Sequence, residues 1–227
     1  MADRVEKLAS IAMTASAMVI AATLLFRQFD RETPISRRPR EPEYVEDWRR
    51  LLPVGRLLGQ ASAPVEIVAF VDLECPFCAR FHANVASLRR RFGENLSLSY
   101  LHYPLANHRF AMPAARAAEC SADQGRFYEF VDRVYESQDS LGLKTWVEYA
   151  QNAAVGDTAR FRRCAADTAP VAKIQQGLAL GSSLGINGTP TVLINGWRYP
   201  LPPSDSVIVT LLQSLQAGRD PFSSYRK

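Results

Sequence analysis

Val65-Glu66-Ile67-Val68-Ala69-Phe70-Val71-Asp72-Leu73-Glu74-Cys75-Pro76-Phe77-Cys78 is the stretch on which the reading of the whole chain turns. Its first seven residues form an almost unbroken apolar run of the length expected of a buried central strand. From Pro76 the pattern changes: Phe81, Val85 and Leu88 recur at three- and four-residue spacing, Phe92 follows a turn later, and Gly93 closes the segment. That spacing predicts an amphipathic helix. Two cysteines therefore stand where a strand gives way to a helix. A helix N-terminus offers unpaired backbone N–H groups and the positive end of the dipole, both of which stabilise a thiolate, the attacking species in disulfide exchange. Cys75 is the expected nucleophile, and Cys78 is close enough in sequence to pair with it. Pro76 suits the first helical turn, where its missing N–H has no partner to lose. Structural zinc is the competing reading of a CxxC, but it needs four ligands and no second close pair is visible, so no metal is expected.

Outward from this junction, Ala61-Ser62-Ala63-Pro64 is a turn into the strand, and a short element is predicted near Arg56-Leu57-Leu58-Gly59. Beyond the helix, Leu96, Leu98, Tyr100 and Leu101 lie in a β-prone segment ending at Pro104, which completes a strand–helix–strand unit. From residue 112 the pattern is helical, with segments predicted at 112–121, 124–138, 144–153, 157–167 and 169–184. Such a block is long for a simple crossover. Strand character returns at Thr191-Val192-Leu193-Ile194, and Asn195-Gly196 before Trp197-Arg198-Tyr199 is a two-residue hairpin signature. A last amphipathic helix carries Val207, Leu211, Leu212 and Leu215.

The chain has 227 residues, 47% of them hydrophobic, so it can bury a sizeable core without help from disulfides. Its net charge of +4 is modest and its arginines are scattered, as in Arg89-Arg90-Arg91 and Arg160-Phe161-Arg162-Arg163. They read as solvated helix faces, and no nucleic-acid partner is expected. Residues 8–26 carry no formal charge. As a helix they would span about 28 Å, near the thickness of a bilayer core. An uncleaved membrane anchor is the favoured reading over a cleaved signal or an Ala-rich buried helix, because no clear A-x-A site closes the run. Arg4 and Lys7 precede it, whereas Arg27, Arg31, Arg37, Arg38 and Arg40 follow. Taken alone, that bias places the main domain in the cytosol. The cysteines point the other way, and their usage decides the expected compartment as extracytoplasmic.

CPFC at a strand end, a long helical block and Gly188-Thr189-Pro190-Thr191 before an antiparallel pair together resemble the DsbA-like thiol:disulfide oxidoreductases, an α/β thioredoxin fold with an inserted α-helical domain. Tyr103-Pro104-Leu105, Ala114-Ala115-Arg116-Ala117-Ala118 and the run from Leu184 to Thr191 are similar to that family's recurring segments. On this resemblance the chain divides into an anchor or signal segment (1–26), a solvated linker (27–50), a thioredoxin-like domain from 51–111 and 185–219, an inserted helical domain (112–184) and a tail (220–227). The resemblance implies that Pro190 is a cis proline beside the dithiol and that Thr189 offers its backbone to an extended substrate, with Pro76 and Phe77 completing the contact. It also implies cysteine-containing unfolded polypeptides as clients, a quinone-linked membrane thiol oxidase as electron acceptor, and no bound cofactor.

Departures from the family pattern matter as well. Relatives often carry a buried carboxylate six residues before the first cysteine, where this chain has Ala69. Asp72 and Glu74 are the nearest candidates for a proton relay, although a carboxylate beside a forming thiolate also opposes it by repulsion. Phe77 replaces the histidine that many strong oxidants have between the cysteines, so a weaker oxidant is expected. Cys120 and Cys164 are read as a structural disulfide rather than two separate thiols, from the even cysteine count. His82, one turn beyond Cys78, reads as an inert surface residue, and His108 as a loop or capping residue. The direction of exchange stays open between oxidase and isomerase or reductase, and a non-catalytic peptide-binding chaperone is the reading from another class.

Overall fold

The computed structural model describes residues 41–226, together with residue 18 and residues 21–23. The segment 8–26 otherwise lies outside the described residues, as does 27–40. Among the described residues no helix is long and apolar enough to cross a membrane.

Strands β1 (Glu43–Tyr44), β2 (Arg56–Leu58) and β3 (Val65–Val71) come first, followed by helix α1 (Pro76–Phe92) and β4 (Leu96–His102). A helical block follows: α2 (Ala111–Ala122), α3 (Phe127–Glu136), α4 (Trp146–Asn152), α5 (Thr158–Ala166) and α6 (Ala172–Ser183). Strands β5 (Thr191–Ile194) and β6 (Trp197–Arg198) and helix α7 (Asp205–Gln216) complete the described elements. The sheet order is β1-β6-β5-β3-β4-β2. β3 and β4 run parallel through the α1 crossover, and β5 lies antiparallel on the other side of β3. β3 is thus central, and all seven of its residues are buried.

The unbroken apolar run of β3 follows from having protein on both faces. Val65, Ile67, Ala69 and Val71 face the larger core with α1, α7 and the helical block. Val68 and Phe70 face a smaller core with Trp48, Leu51, Leu101, Ile186 and Leu193. This second core corrects the expectation of a solvated linker running to residue 50. Glu43–Tyr44 pairs with β6, and the 3-10 turn Trp48–Leu51 buries Trp48 and Leu51 against the sheet. Isolated apolar residues among charged ones show no period, yet two of them join Ile186, Leu180 and Leu184 in covering this face of the sheet.

The helices start and stop close to where the periodicity places them, and the differences have local causes. The segment expected from 124 starts at Phe127, after Gly125 with φ of 71°. That conformation ends α2 and re-aims the chain. α4 starts at a full capping box, with the Thr145 hydroxyl accepting from the Glu148 N–H and the Glu148 carboxylate accepting from the Thr145 N–H. Helix α6 backs directly onto the end of β4, where a Cβ on Gly177 would lie 2.3 Å from the His102 carbonyl oxygen. Only glycine permits that approach.

Two cross-links fasten the helical block. Cys120 on α2 and Cys164 on α5 form a disulfide across 44 residues. Closing such a loop stabilises by about 4 kcal/mol on the chain-entropy model. Glu119, the neighbour of Cys120, is buried and receives hydrogen bonds from Arg56 of β2 (Nε at 3.1 Å) and approaches His102 of β4 at 3.0 Å. One carboxylate thereby ties α2 to two strands of the sheet.

Candidate active site

Cys75 is the N-cap of α1, with extended backbone (φ −75°, ψ 120°), and Pro76 occupies the first helical position. The Cys75 side chain makes no capping hydrogen bond and the Cys78 N–H donates to the Cys75 carbonyl at 3.0 Å, so the helix start acts on the Cys75 sulfur through the positive field of its first N–H groups. Both thiols are free, Cys78 fully covered and Cys75 3% exposed. The near-complete burial of Cys75 differs from the openness expected of a helix start. Its cause is the loop before β5, whose Thr189–Pro190 peptide bond is cis and whose Thr189 carbonyl accepts a hydrogen bond from the Cys75 thiol at 3.2 Å. Phe77, between the cysteines, is 58% exposed.

The two sulfurs are driven apart in acidity. A hydrogen bond from the Cys78 thiol lowers Cys75 to about 5; burial opposes this, while Thr189 and the N–H groups of Cys78 and Phe77 reinforce it. Burial pushes Cys78 far up, and its hydrogen bond to Cys75 adds to the rise. These donors favour the Cys75 thiolate at neutral pH without any charged partner, and the bond to the Thr189 carbonyl belongs to the protonated thiol. The expectation that Phe77 leaves the thiolate without a cation is met, yet backbone and thiol donors do much of the work a histidine does elsewhere. A depressed thiol favours the reduced folded state above the unfolded thiol range, and that advantage fades as pH falls through about 5. Thiolate absorbance or alkylation rate of reduced Cys75 should accordingly titrate near pH 5, and an inflection above 8 would show that these donors do not act.

Beneath Cys78 lies a set of buried polar groups. Asp72 donates its backbone N–H to the Cys78 sulfur at 3.5 Å, and its fully buried carboxylate accepts from the N–H groups of Glu74 (2.7 Å) and Leu105 (2.8 Å). The same carboxylate lies 2.8 Å from His108 Nδ1. Glu74 is instead held by the Phe110 N–H, away from a direct bond to either cysteine. Tyr100, the register partner of Ala69, places its hydroxyl 3.0 Å from that of Tyr135, which in turn donates to the Asp72 carbonyl at 3.3 Å. Burial holds both tyrosines protonated, well above the ordinary phenol range.

His82 corrects the surface reading. Its side chain is 11% exposed, packs against the Tyr135 ring and lies 2.6 Å from Asp132. His108 does lie in a loop, but its contact with Asp72 and the tyrosine pair escaped the sequence reading. No spacing signal links His108 to Asp72, since 36 residues separate them and only the return of β4 beside β3 brings them together. Among the described residues no three His, Cys, Asp or Glu side chains converge as metal ligands.

A family model described as thioredoxin matches residues 52–214, which span β2 to most of α7. The chain belongs to the thioredoxin family. Its solved neighbours are DsbA-like members of that superfamily. A thioredoxin-like oxidoreductase from Silicibacter pomeroyi DSS-3 superposes with a TM-score of 0.63 at 26% identity, covering 74% of this chain and 98% of that one. Wolbachia pipientis alpha-DsbA1 shares the fold with a TM-score of 0.61 at 23% identity, covering 74% and 93%. A curated relative, Na(+)/H(+) antiporter NhaA 1 of Mycolicibacterium gilvum, is 33% identical over 164 residues, 71% of this chain and 26% of that protein. The thioredoxin-family chain thus spans about a quarter to a third of the length of such curated relatives.

Proposed function

We propose that this chain is an extracytoplasmic thiol:disulfide oxidoreductase of the DsbA-like type, working through Cys75 and Cys78. The observation that carries the proposal is the pair of sulfurs at the start of α1, one held as a thiolate and one buried, facing a cis Thr189–Pro190 bond. In the oxidative direction a client thiolate attacks Cys75 of the Cys75–Cys78 disulfide, and Cys78 leaves and takes a proton. A second client thiolate then attacks the client sulfur of the mixed disulfide, and Cys75 leaves as the thiolate. Both cysteines end reduced and the client gains one disulfide. The lowered pKa of Cys75 makes it the good leaving group in that second step.

Cysteine-containing unfolded polypeptides are the proposed clients. The exposed apolar side chains of Phe77 and Leu143 support this. Leu143 follows Gly142, which abuts the Phe110 ring, and the Phe110 N–H holds Glu74 next to Cys75. Thr189, Pro190, Pro76 and Phe77 are the proposed client contacts, with strand-like pairing to the Thr189 backbone. Reoxidation is assigned to a quinone-linked membrane oxidase, and anchoring to residues 8–26. The Cys120–Cys164 disulfide supports an oxidising compartment. The division at 51–111, 112–184 and 185–219 is the proposed domain plan, and the transport named for the antiporter relatives is not extended to this chain.

Isomerase or reductase action uses the same atoms in the reverse sense. Refolding of a reduced multi-cysteine protein, against a scrambled one, separates the directions. Native disulfides are expected to form from the reduced client with oxidised enzyme and to be lost with Cys75→Ala. Equal chaperoning by both variants, with no exchange, would replace the oxidoreductase by a peptide-binding module.

A further inference from the structure

Cys78 presents the chain with a proton problem. Its sulfur is fully covered and burial disfavours its thiolate strongly, so exchange at Cys75 requires that a proton reach it as it leaves. Ala69, the buried register partner of Tyr100, offers no carboxylate on this stretch of β3. His82, one turn along the same helix, is taken up by Asp132 at 2.6 Å, and His102 at the end of β4 by Glu119 at 3.0 Å, which leaves five titratable groups nearest Cys78. Cys75 shares its helix, Tyr100 is on β4 and Tyr135 on α3, and Asp72 and Glu74 lie in the loop between β3 and α1. The tyrosines retain their protons, Glu74 is occupied by the Phe110 N–H, and Cys75 is the reacting partner. Asp72 remains, bonded to the Cys78 sulfur through its N–H and to an imidazole through its carboxylate.

That imidazole reaches the outside. The His108 side chain is 21% exposed, whereas the Asp72 side chain is wholly buried. We propose that Asp72 and His108 form the proton store for Cys78, a carboxylate–imidazole pair that takes the place of the carboxylate missing at residue 69. The inference rests on the oxidoreductase reading above. When the Cys75–Cys78 bond breaks and the client–Cys75 bond forms, the electron pair stays on the Cys78 sulfur. The pair gives up one proton, Cys78 becomes a thiol, and His108 regains a proton from solvent. In the reverse direction the same proton returns to the pair before Cys78 attacks. Neither residue touches the client, and their part is confined to the proton of Cys78.

Single-turnover oxidation of a dithiol peptide by the full chain in its Cys75–Cys78 disulfide form tests this. His108→Gln keeps an N–H toward Asp72 but cannot carry the proton. It should slow the reaction by about tenfold or more at neutral pH, given what general acids contribute. It should also change the shape of the pH–rate profile, which a purely structural substitution would leave alone. Titration of the reduced Cys75 thiolate should not move, because its donors are elsewhere. In His108→Ala, added imidazole should restore the rate in a concentration-dependent way, a response that a purely structural staple would not give. Wild-type rate and profile in His108→Gln would overturn the proposal, and so would slow His108→Ala indifferent to imidazole while folded by circular dichroism. If His108→Gln does not fold, the imidazole response decides alone. Failure of the wild-type chain to oxidise the peptide at all would take down the oxidoreductase reading and this inference with it.

Discussion

Cys78→Ala is expected to turn the chain into a covalent trap. Cys75 keeps its place at the start of α1 with the backbone N–H groups of Phe77 and residue 78 and Thr189 around it, so it still attacks a client disulfide. Release, however, depends on a thiol three residues away, whose effective concentration exceeds that of any free thiol by orders of magnitude. The lifetime of the mixed disulfide should rise on the order of a thousandfold on that ground. Cys75→Ala should abolish both adduct and turnover. Mass spectrometry of non-reduced complexes reads the result directly. If no adduct through residue 75 forms in Cys78→Ala while the unmodified chain exchanges disulfides, Cys75 is not the attacking atom. Loss of the Cys78 hydrogen bond, the largest single support of the Cys75 thiolate, should also shift the alkylation inflection of the trap upward from about 5.

The second large effect is on stability and involves no active-site atom. Glu119 joins the helical block to the sheet, and removing it leaves Arg56 and the buried His102 without their shared partner. Glu119→Ala should cost about 3 kcal/mol, the lower end for breaking a buried ion pair, because Arg56 is 30% exposed. The carboxylate also makes a pH prediction. Burial alone would raise its pKa, but hydrogen bonds from His102 and Arg56 outweigh burial and hold it at about 2, below the unfolded value of 4.5. Its contribution is therefore complete above pH 4.5 and is lost as pH falls toward 2. Glu119→Gln retains the shape and lacks the ionisation. The difference in urea midpoint between wild type and Glu119→Gln should shrink steadily across that window. Parallel curves from pH 4.5 to 2 would mean that the Arg56–Glu119–His102 cluster contributes no ionic stabilisation.

The fold was legible in local patterns because its central elements obey simple periods. β3 is continuous in apolar residues because both of its faces are covered, α1 repeats at three and four, and Asn195-Gly196 turns the β5–β6 hairpin with both residues at positive φ. The edge was harder to see. Tyr44, Trp48 and Leu51 are single apolar residues in a charged stretch, and their burial depends on where β6 and the second face of β3 happen to be.

In the same way, the chain's residues alone determined that two thiols sit at a strand-to-helix junction, since strand and helix are decided within a few residues of Cys75. They also determined that Ala69 offers no carboxylate and Phe77 no cation. Only the tertiary structure decided how the chain compensates. Thr189 is brought over Cys75 from 114 residues away, and His108 meets Asp72 across 36. The acidity of a sulfur and the reach of a proton depend on neighbours within a few ångströms in space. Hydrophobic periodicity carries no record of those neighbours, because sheet pairing brings them together from distant parts of the chain.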